Sequence, residues 1–231
     1  MTLASETHAS APIFRPRGGA GSALLMRVLA AAFTLFITGY ILIPIVVTLI
    51  MSFNDAALIR FPITTWSIKW YADFFGSAQY TEALGNSLVI AIGTTILATS
   101  SGVLAAWAFA RYEFVGKNAL YLLIMLPLFM PGVVLGLGVA IAFGEITVFG
   151  APIYGSRWLV IVAHTLWAMP LVFMLMEATF KTLDRRLVEA SYDLGAPPLR
   201  TFIEIVVPSV STGIISSSLF AFVISLNEFV M

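Results

Sequence analysis

The sequence predicts an all-α membrane protein that crosses the bilayer several times. Three observations carry this reading: an extreme apolar composition, five long runs with at most one charged residue each, and an uneven placement of lysine and arginine. Of 231 residues, 60% are hydrophobic and 10% are charged. A soluble domain holds about 45–50% apolar and about 25% charged residues, so this chain falls in the membrane class. Formal net charge is zero, which gives no pull toward nucleic acid. With no cysteine present, disulfides, zinc–thiolate sites and cysteine nucleophiles are excluded.

Residues 1–22 are polar, small and irregular, with Arg15 and Arg17. They read as a disordered cytoplasmic tail, and residues 23–231 read as one transmembrane domain. The apolar run after the tail is too long for the h-region of a cleavable signal peptide, so it reads as a retained anchor.

A membrane-crossing helix needs about 20 mostly apolar residues. Five runs qualify: about 24–51, 84–110, 119–143, 158–179 and 205–231. Their apolarity is continuous, without the alternation of a strand, and this decides for helices. Pro44, Pro127, Pro131 and Pro170 are expected to kink or interrupt them. Gly213 and Ser217, four apart in "STGIISSS", are small residues suited to close helix packing.

Orientation follows from the connections. With the N-terminus in the cytoplasm, inside segments hold nine lysines and arginines, among them Arg111, Lys117, Lys181, Arg185, Arg186 and Arg200. Outside segments hold three: Arg60, Lys69 and Arg157. The excess places the N-terminus inside. The loop between the first two spans then faces out, and the tryptophans and tyrosine of "TWSIKWYADFF" suit the membrane interface. Five spans leave the C-terminus outside, and the sequence stops at "LNEFVM" with no polar tail. A sixth, missing span is expected on that ground.

The cytoplasmic connection at about 180–204 is the most polar part of the domain. Asp184 suits a helix N-cap. Leu187, Ala190, Ser191 and Leu194 share one face at helical spacing. Gly195 suits a C-terminal stop, and Pro197-Pro198 prevent continuation. The expectation is an exposed helix of about three turns with a small-residue face.

Within it stand Glu189-Ala190-Ser191, then three residues, Gly195, nine residues, and Ile205-x-Val207-Pro208. This resembles the EAA signature of ABC importer permeases, which reads E-A-A, three residues, G, nine residues, I-x-L-P. Ser191 and Val207 are the two departures. "SFND", "ITTWSIKWYADFF", "NSLVIAIGTT", "LPLFMPGVVLGLGVAIAF" and "SLNEFV" extend the likeness to the spermidine/putrescine type, over most of the chain from the first span onward. The resemblance implies a type I ABC importer permease fold with six spans. It implies that Glu189, Ala190, Ser191 and Gly195 belong to a helix that docks on an ATPase. Ile205 and Pro208 would set the angle at which the fifth span leaves that element. The implied partners are an ABC ATPase dimer, which binds the ATP, a second permease subunit, a periplasmic solute-binding protein and membrane lipid. The implied place is the bacterial inner membrane, and the implied cargo a polyamine. An opine or amino-acid derivative, a phosphonate or a metal ion would use a similar permease.

Ionisable groups inside spans are costly and mark function. Glu228, beside Asn227, stands twenty residues after Pro208, about 30 Å along a continuous helix at 1.5 Å per residue. A carboxylate there suits a cationic substrate, or else simply meets water at the helix end. Glu145 reads equally as a gate or a plain loop residue at the outer surface, and Glu177 as interfacial. His164 reads as a hydrogen-bonded packing histidine before a transport contact. No cofactor or metal is expected in this chain. An intramembrane enzyme needs a nucleophile with its base or a metal centre, and the only histidines are His8 and His164. "VGKN" is no phosphate loop, because Arg111 holds the place of its first glycine and Asn118 that of Ser/Thr. A passive channel would need a repeated pore-lining motif, and a membrane scaffold remains the third alternative class.

Overall fold

A computed structural model describes residues 20–56, 61–148 and 150–228. The expected tail lies outside these residues up to position 19, as does the last stretch of the fifth run from position 229. Arg60, one of the three outside cations, also lies outside them. The described chain divides into two compact units, with the boundary between Ser77 and Ala78.

The first unit holds α1 (Ala20–Met51) and α2 (Lys69–Gly76). α1 takes in the last three residues of the expected tail. It stays helical through Pro44, so that proline kinks no more than a continuous helix allows. After it the chain pairs Asn54 with Trp66 in a single antiparallel bridge. Trp70 Nε1 donates to the Asn54 carbonyl oxygen at 2.8 Å, and the hydroxyls of Ser52 and Tyr71 lie 2.7 Å apart. The aromatic loop is thus a folded corner: its indole and phenol tips are bonded to backbone and hydroxyl, while Trp66 stays exposed.

The second unit is a helical bundle built on α3 (Ala78–Arg111) and α6 (Arg157–Lys181). These run parallel: Gly93 meets Ile161 and Gly102 meets Val172 and Phe173. A Cβ at Gly102 would lie 2.7 Å from Val172 Cγ1 and 3.2 Å from the Phe173 nitrogen, so only glycine permits this approach. Small residues do for helices in lipid what the hydrophobic effect does in water, by letting dispersion contacts form closely. Val172, Phe173 and Met176 are completely buried there, with Ala98 and Ala106 across from them. Pro170 is buried inside α6, which remains one helix.

The third run is interrupted at Pro127 and Pro131, two of the prolines expected to kink or interrupt the spans. α4 (Lys117–Met125) passes into a tight 3₁₀ turn at Leu126–Phe129, and α5 (Gly132–Phe143) leaves at 112° to it. The cause is local. Pro127 opens the 3₁₀ turn, and Met130, which precedes Pro131, is extended at φ −92°, ψ 135°. A residue before proline is pushed out of the helical region by the ring. Beyond α5 a two-residue hairpin, β1 (Thr147–Val148) with β2 (Ala151–Pro152), turns the chain into α6.

The fifth run differs as well. It does not start at Ile205 as a straight span. α8 (Pro198–Thr201), a π-helical turn at Phe202–Val206 and α9 (Val207–Ser209) form one segment, and α10 (Ser211–Asn227) leaves it at 76°. Pro208 has no amide hydrogen to donate, and the turn before it widens so that Val207 N–H bonds to Phe202 O. Widened turns of this kind occur where a helix cannot complete its usual ladder. α10 runs antiparallel to α6: Gly213 meets Thr179 at one end, and Ser225 meets His164 at the other. Ser217, four residues from Gly213, is fully buried, so the small-residue stripe does pack.

By length and composition α1, α3 and α6 are each long and apolar enough to cross a membrane, and the two bent pairs raise the count to five if each is one span. The all-α, multi-pass class follows.

Candidate functional site: the capped helix at the cationic end

The parallel course of α3 and α6 puts Arg111 and Lys181 at the same end of the bundle. The next helix, α7 (Arg185–Asp193), starts there. Asp184 is its N-cap, and its Oδ1 accepts from the Arg186 amide at 3.0 Å. The C-terminus closes in a Schellman motif. The Gly195 amide donates to Tyr192 O at 2.8 Å and the Ala196 amide to Ser191 O at 3.1 Å. That pair of bonds requires a left-handed residue after the last turn, and Gly195 has φ +80°. Both ends of this short helix are therefore fixed by its own sequence.

The face with Leu187, Ala190, Ser191 and Leu194 is exposed except at Ser191. Val188 and Ser191 are buried, and Tyr192 packs against the core beside them. Leu187, Ala190 and Leu194 are exposed, Leu194 at 88%. The buried stripe Val188, Ser191 and Tyr192 has the i, i+3 and i+4 spacing of a helix face, on the side of α7 turned to the bundle. Ser191 Oγ lies 2.9 Å from Thr201 Oγ1, with both residues buried. Thr201 had no signal of its own in the sequence; it stands ten residues beyond Ser191, on the far side of the proline pair.

This bond sets α7 beside the α8–α9 segment and leaves a groove of about 460 Å³ between them. Ala190, Ser191 and Gly195 line one wall, and Arg200, Glu204 and Ile205 the other. Arg200 Nε donates to Glu204 Oε2 at 2.9 Å on the rim. Glu189 is exposed, and Pro208 is exposed beyond the groove, just before the bend. The structure thus gathers Ala190, Ser191, Gly195 and Ile205 at one groove. It sets Glu189 and Pro208 outside its lining.

The substrate candidates lie at the opposite end. α10 ends at Asn227, and Glu228 follows in extended conformation at φ −79°, ψ 124°. With the bend at Val210, the uninterrupted helix before Glu228 is 17 residues, about 26 Å at 1.5 Å per residue. Glu228 is half-buried and Asn227 exposed. Next to this end, His164 Nδ1 lies 2.8 Å from Ser225 Oγ in a buried pair, and the Glu228 carboxylate acts electrostatically on the His164 ring. Glu145 is exposed on the turn after α5. No three His, Asp or Glu side chains gather in a metal-like cluster among the described residues.

Comparison with known proteins gives the family. Residues 98–231 match the family model described as "binding-protein-dependent transport system inner membrane component". The chain is 32% identical over 190 residues to the putrescine transport system permease protein PotI of Escherichia coli (strain K12), covering 81% of this chain and 67% of that protein. It is 29% identical over 201 residues to the spermidine/putrescine transport system permease protein PotC of Haemophilus influenzae, covering 87% of this chain and 76% of that one. Among solved structures, a bacterial ABC transporter involved in import of the acidic polysaccharide alginate superposes with a TM-score of 0.61 at 14% identity. That match covers 91% of this chain and 74% of the other.

Proposed function

The chain belongs to the family of binding-protein-dependent transport system inner membrane components, and from that premise we propose that it moves a polyamine inward as one permease of an ABC importer. The single observation that carries the cargo is the likeness to putrescine and spermidine permeases over four-fifths of the chain or more. A carboxylate at the far end of α10 agrees with a cationic cargo. In this reading Glu228 attracts the amine near the outer mouth, with Asn227 and Glu145 beside the path.

The working assembly is this chain, a second permease, an ABC ATPase dimer and an external solute-binding protein, in the bacterial inner membrane. The N-terminus faces the cytoplasm. The support is electrostatic: Arg111, Lys117, Lys181, Arg185, Arg186 and Arg200 all stand on or beside the α7 end, and cations favour the cytoplasmic side. α7 is then the coupling helix. Its Schellman turn and its bond to Thr201 make it a stiff lever. A push on Ala190 or Glu189 passes through Ser191 to the α8–α9 segment, and from there across the bend to α10. Packed helices move as bodies in such transitions. ATP stays on the partner.

The test is uptake of radiolabelled putrescine and spermidine by cells carrying the whole transporter, with and without the full-length subunit. Subunit-dependent uptake of either amine is expected. An assembled complex that takes up neither removes the polyamine.

A further inference from the structure

The cationic end of the bundle holds a second cavity, of about 300 Å³, that shares no lining residue with the groove. It lies where α3 ends, α4 starts, α6 ends and α7 starts. Arg111, Lys117, Lys181 and Arg185 line it, with Glu113 and Glu177. Both carboxylates are already engaged: Lys117 Nζ stands 2.8 Å from Glu113 Oε1, and Lys181 Nζ 2.9 Å from Glu177 Oε1. The cavity therefore carries an excess of two positive charges, on Arg111 and Arg185. Neither makes a salt bridge among the described residues. Arg111 is placed by the Tyr192 ring, 5.7 Å from its guanidinium carbon. The other lining groups are apolar: the rings of Trp107, Phe109 and Phe180, with Ala110, Leu183 and Val188; the Trp107 and Phe180 rings are 5.3 Å apart.

A cationic rim around an aromatic floor, at the level where spans meet water, fits one chemistry better than others. A free phosphate has use for the rim alone. A phospholipid uses both, its phosphodiester against the guanidinium groups and its glycerol and upper acyl chain against the rings. Basic pockets between helices at the cytoplasmic surface take anionic headgroups in this way, and arginine binds phosphate oxygens bidentately. We propose that this cavity binds the phosphodiester of an anionic phospholipid of the cytoplasmic leaflet, held by Arg111 and Arg185. The proposal rests on the membrane orientation argued above. Because Arg111 ends α3 and Arg185 opens α7, the bound lipid bridges a spanning helix to the coupling helix.

The test uses the whole transporter in vesicles of equal parts phosphatidylcholine and phosphatidylglycerol, with bromine on the acyl chains of one lipid at a time. Quenching of Trp107 is read as the difference between the unaltered complex and Trp107→Phe. Several-fold stronger quenching by brominated phosphatidylglycerol than by brominated phosphatidylcholine is expected. Arg111→Gln with Arg185→Gln should abolish the preference, and Arg111→Lys with Arg185→Lys should keep part of it. Equal quenching by the two lipids in the unaltered complex overturns the proposal without any variant. A preference that survives the glutamine pair overturns it too. Loss of the preference on adding inorganic phosphate would assign the cavity to a free anion and overturn the lipid. Amine uptake by the same complexes is read separately, so intact uptake without lipid preference sinks the lipid site alone.

Discussion

Ser191 Oγ and Thr201 Oγ1 stand 2.9 Å apart in a buried pair, and this is the one side-chain hydrogen bond shown between α7 and the segment that follows it among the described residues. Backbone cannot bridge the two, because Gly195 and Pro197-Pro198 separate their ladders. Removing one hydroxyl leaves the other buried without a partner, at a cost of about 1–3 kcal/mol. Ser191→Ala and Thr201→Val should each lower the unfolding temperature of the purified complex. The double variant should cost less than the sum of the two. Strict additivity would show that the pair does not interact.

Gly195→Ala keeps space around the residue, since no atom lies within 4 Å of the added Cβ, but forces an L side chain to φ +80°. A left-handed residue with a Cβ costs roughly 1–2 kcal/mol. Gly195→Asp adds a charge at the turn that ends α7. We expect Gly195→Ala to weaken uptake partially and Gly195→Asp to abolish it, with membrane insertion of both at the unaltered level by immunoblot of membranes. Full uptake by the aspartate variant would contradict the lever.

Glu228→Gln preserves shape and removes charge at the end of α10. Uptake of putrescine should fall by raising KM, while ATPase docking stays unchanged. Unaltered KM and rate would take Glu228 out of the path.

Gly102→Leu places a side chain where Val172 and the Phe173 backbone already stand. Overpacking a tight contact costs about 1–3 kcal/mol, so the variant should unfold at lower temperature in detergent. Gly138→Leu, on α5 with open space around it, should not. Equal effects at both would mean that the α3–α6 approach is not what limits stability.

Much of this was legible in the residues, because the strongest signals are local. Asp184 as cap, Gly195 as stop and the apolar runs follow from one helical turn or from composition. The breaks at Pro131 and after Pro208 were harder to place. Pro44 and Pro170 are tolerated inside helices, so a proline alone does not tell a kink from a break; the paired Pro127 and Pro131 do. The Val188 face and the partners of Ser191 and His164 depend on which helices meet, and that is tertiary information. Thr201 and Ser225 look like any other hydroxyls in the sequence.

The chain contains no cysteine, which makes the central claim directly measurable. Ala190→Cys puts one thiol on the exposed face of α7, and a bifunctional thiol–amine reagent then reports what touches it in the assembled importer. The account predicts a crosslink to the ATPase subunit whose yield changes when ATP is added, together with retained amine uptake before crosslinking and loss of uptake after it. Full uptake after treatment, with no crosslink to the ATPase in either nucleotide state, would contradict the assignment of α7 as the helix through which ATP work enters the membrane.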